Sequence, residues 1–412
     1  MPCIDALVIG AGQAGLAMSH RLAARGIEHV VLERGRVAER WRSERWNSLR
    51  LLTPSWMSQL PGWSYRGPDP DGFMTMAEVI SHLGGYARAM GAPVLTATRV
   101  LAVERRGDAY HVETTGGSWT ARAVVVATGH CDVPATPGFA NRLPAGIRQL
   151  TPSQYRDPAS LPAGGVLVVG GSASGIQIAE ELRLAGREVA ISVGRHTRLP
   201  RLYRGRDIMW WMDRMGVLSE PAEAVPDLRR ARAQPSLQLV GRPDRRTIDL
   251  GTLRSLGVRV FGRAGAVEGA SFRFHDDLAE TTASAWRRLQ RLLARIDAHA
   301  GSLGWTEPPE DIRPLVLEAP AGALDLRAEG LGTVVWATGY ARDYSWLRVP
   351  VLDPWGEILH QGGVTPAPGL YVLGLRFLRR RNSNFIDGVG ADAEALAAEV
   401  AGHLTKLGRV AA

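Results

Sequence analysis

The stretch Ile4-Asp5-Ala6-Leu7-Val8-Ile9-Gly10-Ala11-Gly12-Gln13-Ala14-Gly15-Leu16-Ala17-Met18 decides the fold. Its apolar run reads as a buried strand, and the residues after the last glycine read as a helix. Between the two stands Gly10-x-Gly12-x-x-Gly15, with Gln13 and Ala14 inside the turn. A second strand, His29-Val30-Val31-Leu32-Glu33, ends in an acid eighteen residues beyond Gly15. Strand, glycine turn, helix and acid-ended strand together make a βαβ unit with a dinucleotide fingerprint. Gly10 permits the tight turn, Gly12 lets backbone approach a pyrophosphate, and Gly15 allows the helix to pack closely on the strand. The free N–H groups and the dipole at the helix start favour phosphate. Glu33 accepts from ribose hydroxyls and repels a 2′-phosphate, so this half is expected to bind FAD or NAD and not NADP.

The pattern recurs. Gly165-Val166-Leu167-Val168-Val169-Gly170 is a strand, and Gly170-Gly171-Ser172-Ala173-Ser174-Gly175 is a fingerprint with Ser172 at the middle glycine position. The helix Ile176–Leu184 follows, then the strand Arg187–Val193, ending in Gly194-Arg195-His196 with no acid. Arg195 suits a 2′-phosphate, so this half is expected to take NADPH; a solvated surface arginine is the competing reading. Two further strands, Ala123–Gly129 and Thr333–Tyr340, turn sharply at Thr128-Gly129 and Thr338-Gly339. They read as crossover returns from nested nucleotide-binding domains. An alternating hairpin spans Tyr110–Arg122, and a last strand, Gly369–Gly374, precedes a closing helix through Leu404. The spacing of Leu278, Trp286, Leu289, Leu293 and Ile296 predicts a helix over 276–303, packed on the second domain. Pro-rich joints at 134–144 and 158–162 mark the crossing between domains. The expected fold is α/β, with two Rossmann-like three-layer domains. Residues 1–150 and 331–412 form a discontinuous FAD-binding domain, and residues 151–330 an NADPH-binding domain between its parts.

The chain has 412 residues, 45% hydrophobic and 22% charged, a globular profile of roughly two or three domains. This excludes a disordered chain, a coiled coil and a collagen-like repeat. No apolar run reaches transmembrane length, and the Gly-rich segment from Ile4 to Met18 reads as strand and helix, not as a signal peptide. No stable membrane insertion is expected. The net charge is +8, with Lys406 the single lysine among 49 basic residues, and the charges are spread along the chain. No nucleic-acid partner is therefore expected, while a pull on phosphorylated cofactors is. Cys3 and Cys131 are the only cysteines. They form neither a disulfide framework nor a CxxC or CxxxxC pair, which excludes dithiol disulfide-reductase chemistry and points to a reducing cytoplasm. Both cysteines read as small buried hydrophobes. No HExxH or GxSxG spacing occurs, so neither a metal site nor a serine-hydrolase site is expected.

These motifs, in this order, resemble the class B flavin monooxygenases, which include the flavin-containing monooxygenases and the plant YUCCA enzymes. The resemblance covers the whole chain. It is carried by the first fingerprint; by Leu32-Glu33-Arg34, Trp41, Ser48-Leu49-Arg50-Leu51-Leu52-Thr53-Pro54 and Leu60-Pro61; by Ala127-Thr128-Gly129; by Tyr155-Arg156-x-Pro158; by Gly170–Gly175; and by Ala337-Thr338-Gly339-Tyr340. It implies FAD in the first domain and NADPH in the second, and a 4a-hydroperoxyflavin that passes one oxygen atom from O₂ to a small organic substrate. It adds Arg34, Trp41, Thr53, Thr128, Thr338, Tyr340 and Asp387 to the cofactor-binding set. Asp387 is placed near the isoalloxazine edge. Neither it nor His130 is assigned a catalytic role, and no general acid or base is assigned. Three departures stand out. Thr151 replaces the histidine of the family's joint motif, Pro54 follows Thr53 where animal enzymes carry asparagine, and Gly332 lies where an acid often precedes the last motif. The chain is also short, leaving little room for a large substrate-capping insertion. Without the joint histidine, oxygenation at N or S is favoured over a Baeyer–Villiger insertion. An NAD(P)H-dependent reductase serving ferredoxin or quinone, and a non-enzymatic redox or nucleotide sensor, are the competing classes. Trp56, Trp63, Trp210 and Trp211 are candidate walls of the substrate pocket, with core packing as their other reading. The chain is compatible with a homodimer.

Overall fold

The computed structural model describes residues 2–318, 320 and 322–408. In chain order its first sheet takes β1 (Cys3–Ile9), β2 (His29–Leu32), β3 (Val94–Leu95), β4 (Val100–Arg106), β5 (Ala109–Thr114) and β6 (Gly117–Val126), with helices α1 (Gln13–Ala23) and α2 (Met76–Ala89). A second sheet takes β7 (Arg148–Leu150), β8 (Gly165–Val169), β9 (Val189–Ser192), β10 (Arg259–Phe261) and β11 (Leu331–Trp336). Among its strands run α3 (Ala173–Leu184), α4 (Ile208–Arg214) and α5 (Leu278–Ser302). The chain then returns to the first sheet. There β12 (Leu370–Val372) pairs parallel with β6, and α6 (Val389–Lys406) packs beside α1, where Arg21 meets Glu394 at 3.0 Å.

The spatial order is β3-β2-β1-β6-β5-β4 in the first sheet, with β12 joined to β6, and β7-β11-β8-β9-β10 in the second. The second sheet is parallel throughout. Strands β8 and β9 are buried along their whole length, which is why they read as unbroken apolar runs and not as alternating ones. Each fingerprint follows the first strand of its own βαβ unit. In both sheets that strand lies between the second strand of the unit and the returning one, so both fingerprints sit at a reversal of strand order, where α/β sheets bind ligands.

Three expectations need correction here. The strands Arg148–Leu150 and Leu331–Trp336 belong to the second sheet, where Val334 and Val335 lie beside Leu167 and Val168. The joints expected after residues 150 and 330 therefore fall on the wrong sides of these strands. A crossover return completes the sheet of the fingerprint it belongs to, so Leu331–Trp336 must pair with β8 and cannot go back to the first sheet. Residues 409–412, the end of the expected first domain, lie outside the described residues. The hairpin over Tyr110–Arg122 and the strand after it are also not separate, because β6 is one ten-residue strand serving both. Finally, the short chain does hold an insertion. Residues 193–258 between β9 and β10, together with α5, build their own apolar core around Trp211, Leu218, Leu289 and Ile296. That core is continuous with Leu52 and Met57 from the first unit. The insertion is made of two-residue strands and helices of five to seven residues, too short for periodicity to reveal.

No helix among the described residues is long and apolar enough to cross a membrane. No group of three or more His, Cys, Asp or Glu among them could hold a metal ion.

Candidate functional site

Both fingerprints open onto one cleft of about 1330 Å³. Gly10 has φ +108°, and a Cβ there would stand 2.7 Å from the Ala127 carbonyl. A Cβ on Gly15 would run into the Gly10 carbonyl, so this glycine serves helix–strand contact and does not face the cleft. Gly12 is the opposite case: it lines the cleft, and a Cβ there meets nothing within 4 Å. The second unit repeats the arrangement. Gly170, at φ +118°, and Gly175 would clash with backbone carbonyls, while Ser172 lines the cleft at the open position. Helices α1 and α3 start just beyond Gly12 and Ser172, and neither of these residues caps its helix through a side chain. The first-turn N–H groups, with Gln13, Ala14, Ala173 and Ser174 around them on the cleft wall, are left for an anion. Neither first turn carries an acid. The residues present therefore fit one dinucleotide in each half.

Glu33 is buried, with its two oxygens accepting from the N–H groups of Ala11 and Gly35, both at 2.9 Å. Each oxygen keeps a lone pair, and the residue lines the cleft, so it shapes the fingerprint turn and keeps acceptor capacity toward the cleft. Arg34 is exposed and pairs with Glu44 at 3.0 Å. Trp41 lines the cleft with the Arg45 guanidinium 5.4 Å from its ring centre. Thr53, Thr128 and Gly129 also line it. The side chain of Gln13 donates to the Asn384 carbonyl at 3.3 Å, tying α1 to the loop before α6. Where the two units cross, Tyr340–Ala341 pairs antiparallel with Val133–Pro134, and the Thr338 hydroxyl donates to the Ala135 carbonyl. Thr338, Gly339 and Tyr340 line the cleft at this crossing.

Arg195 is exposed on the cleft wall and forms no ion pair among the described residues. Other arginines gather near it. Burial lowers the pKa of Arg288, and the nearby charges of Arg291, Arg195, Arg230 and Arg287 lower it further. Arg288 is oriented by the His196 carbonyl at 2.7 Å and the Ser284 hydroxyl at 2.8 Å. Asp387 does not line the cleft; its neighbours Asn384, Phe385 and Ile386 do. The Asp387 Oδ1 is buried with no partner, and burial pushes its carboxyl up to about 7.

His130 lines the cleft as a neutral ring. Burial, then the charges of Arg376, Arg342, Arg45 and Arg40, bring its pKa down to about 3. Sequence reading missed the arginines around it, because one arginine cannot be told from another in a chain with 49 basic residues. It also misjudged the cysteines. Cys3 is exposed at the start of β1, and Cys131 is half-buried on the cleft wall, its thiol pushed up by burial. Thr151 forms part of a turn, bonded to the Ser153 hydroxyl at 2.8 Å and the Gln154 carboxamide oxygen at 3.2 Å. Tyr155 donates to Glu181 on α3 at 2.9 Å, so this joint braces the second unit.

None of the four candidate tryptophans lines the cleft. Trp211 is fully buried, its indole N–H donating to the Tyr203 carbonyl at 2.6 Å and its ring 4.9 Å from that of Trp210. Trp56 packs on the same core, and Trp63 lies 6.3 Å from Tyr86. Met212 and Leu218 from the insertion line the cleft in their place.

The family described as pyridine nucleotide-disulphide oxidoreductase matches residues 7–202. An "Uncharacterized oxidoreductase CzcO-like" from Geobacillus kaustophilus is 33% identical over 403 residues, covering 97% of this chain and 99% of the relative. Indole-3-pyruvate monooxygenase YUCCA4 from Oryza sativa is 29% identical over 195 residues, covering 43% of this chain and 44% of the relative. In structure, the chain is similar to a flavin-containing monooxygenase from Stenotrophomonas maltophilia, with a TM-score of 0.68 at 21% identity over 98% of this chain and 99% of that one. Fold, site and relatives define a flavoprotein oxidoreductase with sites for FAD and a nicotinamide dinucleotide, built on the fold of the flavin-containing monooxygenases. Within it, the chain belongs to the CzcO-like oxidoreductases.

Proposed function

We propose that the protein is an NADPH- and O₂-dependent monooxygenase that oxygenates a small organic substrate at nitrogen or sulfur, in a reducing cytoplasm where its two cysteines stay free. One observation carries this reading. Both fingerprints open on a single cleft, and the part of the cleft lined by Leu52, Met212, Leu218, Leu239 and Phe385 is apolar. Hydride donor, flavin and substrate can therefore meet in one place, against an apolar wall. When bound, FAD supplies the redox chemistry: two electrons come from NADPH, one oxygen atom of O₂ goes to the substrate and the other leaves as water.

The chain's own part is positioning. The first turns of α1 and α3 hold the two pyrophosphates, Glu33 faces one ribose, and Arg195 with its neighbouring arginines takes the 2′-phosphate. His130 stays neutral at working pH and adds no charge beside the cofactors. Oxygen transfer to a heteroatom asks only for a dry pocket, since the substrate is itself the nucleophile. Thr151, bonded within its own turn, cannot replace the ring nitrogens of the histidine found in ketone-oxygenating relatives. Disulfide reduction is set aside because the sequence has no cysteine pair.

The test is a panel of thioethers, amines and cyclic ketones, scored for product because leaking peroxide also consumes NADPH. Sulfoxide or N-oxide supports the proposal. Ester or lactone alone would reverse the choice of substrate atom. Rapid reduction of ferredoxin or quinone without O₂ would move the protein to the reductases.

A further inference from the structure

The insertion between β9 and β10 is strapped to the first unit along two edges. On one, Arg201, almost fully buried, donates to the Leu52 carbonyl at 2.7 Å and lies 4.8 Å over the Phe73 ring, while its other end pairs with Asp207. Nearby, a Cβ on Gly241 would strike the Leu51 carbonyl, so two stretches of backbone touch there. On the other edge the chain between Leu218 and Ala222 runs against the loop after β12. Asn382 donates its N–H to the Leu218 carbonyl at 3.0 Å, Arg381 to the Glu220 carbonyl at 3.0 Å, and Ala222 to the Arg379 carbonyl at 2.8 Å. The Arg381 side chain adds an ion pair with Glu220. Bonds of this kind on both sides of an apolar core hold the insertion as a fixed wall.

That wall ends at the cleft. Met212, from α4, and Leu218, just beyond it, are almost fully buried at the margin of the cleft and pack in one apolar cluster with Leu239, Leu52 and Phe385. Neither residue belongs to a fingerprint, a crossover strand or the loops beside them, so the two dinucleotides do not account for this surface. None of these five side chains is polar, and Arg381 on the loop opposite is neutralised by Glu220. We infer that Met212 and Leu218 form the size-limiting wall of a binding site for neutral, apolar ligands of the thioether class. The choice of thioether rests on the oxygenation reading above. The wall itself rests on the insertion's geometry.

The experiment is a binding titration of the FAD-loaded protein without NADPH or O₂, following the flavin absorbance as methyl phenyl sulfide, butyl phenyl sulfide or benzyl phenyl sulfide is added. Wild type should bind the methyl compound best and lose affinity as the alkyl group grows. Met212→Ala and Leu218→Ala should each improve benzyl phenyl sulfide binding by about tenfold or more, the scale set by a methylene or two in an apolar pocket. Leu218→Phe should weaken methyl phenyl sulfide by a similar factor. FAD content of each purified variant reports whether the fold is intact. The inference is overturned by one size profile shared by all four proteins, by no spectral response to any sulfide, or by loss of FAD from both alanine variants, which would make these residues part of the flavin seat. Size-dependent binding with no sulfoxide in aerobic turnover would uphold the wall and sink the oxygenation reading.

Discussion

Gly12 and Gly15 sit in one turn, yet their replacement should fail in different ways. Gly12 has φ −85° and ψ −171°, a conformation open to any residue, and a Cβ there meets nothing within 4 Å. Gly12→Val should therefore cost the flavin-free fold only about 1 kcal/mol, the difference between glycine and a β-branched residue at a helix N-cap. Its side chain instead occupies the approach of a pyrophosphate. Flavin present at a thousandfold its Kd stabilises the native state by about 4 kcal/mol, and the variant forgoes that stabilisation. Gly15→Ala behaves otherwise, because its Cβ would overlap the Gly10 carbonyl. The helix must move off the strand, at about 1–3 kcal/mol or more, with or without flavin. The assay is the flavin content of each purified variant, together with denaturant unfolding of flavin-free and flavin-loaded protein. Gly12→Val should be colourless with a near-native flavin-free stability, and Gly15→Ala destabilised in both states. A Gly12→Val protein that keeps stoichiometric FAD, or whose flavin-free stability falls as far as that of Gly15→Ala, would refute the assignment.

Arg195→Ala should lower NADPH affinity by one to two decades, since a charge-assisted bond contributes about 1.5–3 kcal/mol, and should leave NADH affinity unchanged; equal losses for both nucleotides would remove the 2′-phosphate role. Arg201→Ala leaves Asp207 buried without its cation and the Leu52 carbonyl without its donor, so urea unfolding should show a loss of about 3–5 kcal/mol; a loss below about 1 kcal/mol would mean the strap is not holding the insertion. Asp387 and His130 should pull the pH dependence of stability in opposite directions. Burial raises the Asp387 carboxyl to about 7, so between about pH 4 and 7 the folded state holds a proton that the unfolded chain has lost, and stability falls as pH rises. Burial lowers His130 to about 3, so between about pH 3 and 6.5 the unfolded chain holds the extra proton, and stability rises with pH. Asp387→Asn should accordingly steepen the rise of stability from pH 4.5 to 6.5 by up to about 1.4 kcal/mol per pH unit, and His130→Gln should flatten or reverse it. Melting curves across that range in which both variants run parallel to wild type would contradict the two assignments.

Much of the two βαβ units was legible in the chain, because their determinants are local. A glycine that must take φ +108°, as Gly10 does, announces a turn wherever it occurs. An apolar run such as Val166–Val169 announces a strand buried on both faces. Glu33 and Arg195 could be compared because each stands at the same place in a repeated βαβ unit. The sheet assignment of Leu331–Trp336 was harder, since its apolar pattern suits a crossover return in either sheet, and only hydrogen-bonded pairing with β8 decides between them.

The substrate end was not legible for a related reason. Trp210 and Trp211 could be read as pocket walls or as core, and the structure takes the second course: α4 turns Trp211 into the insertion's core and brings Met212 to the cleft. On a helix, neighbouring residues point about 100° apart, and which of them faces a cavity depends on what the helix packs against. The sequence by itself determined the two fingerprints, the lack of a cysteine pair and the α/β class, all of which follow from backbone geometry and residue chemistry at short range. Only the tertiary structure decided which strands close each sheet, which arginines surround His130 and which side of the insertion meets the cleft. Those outcomes depend on contacts between residues far apart in the chain, such as Arg201 with Leu52 and Leu218 with Asn382, and no local pattern carries them.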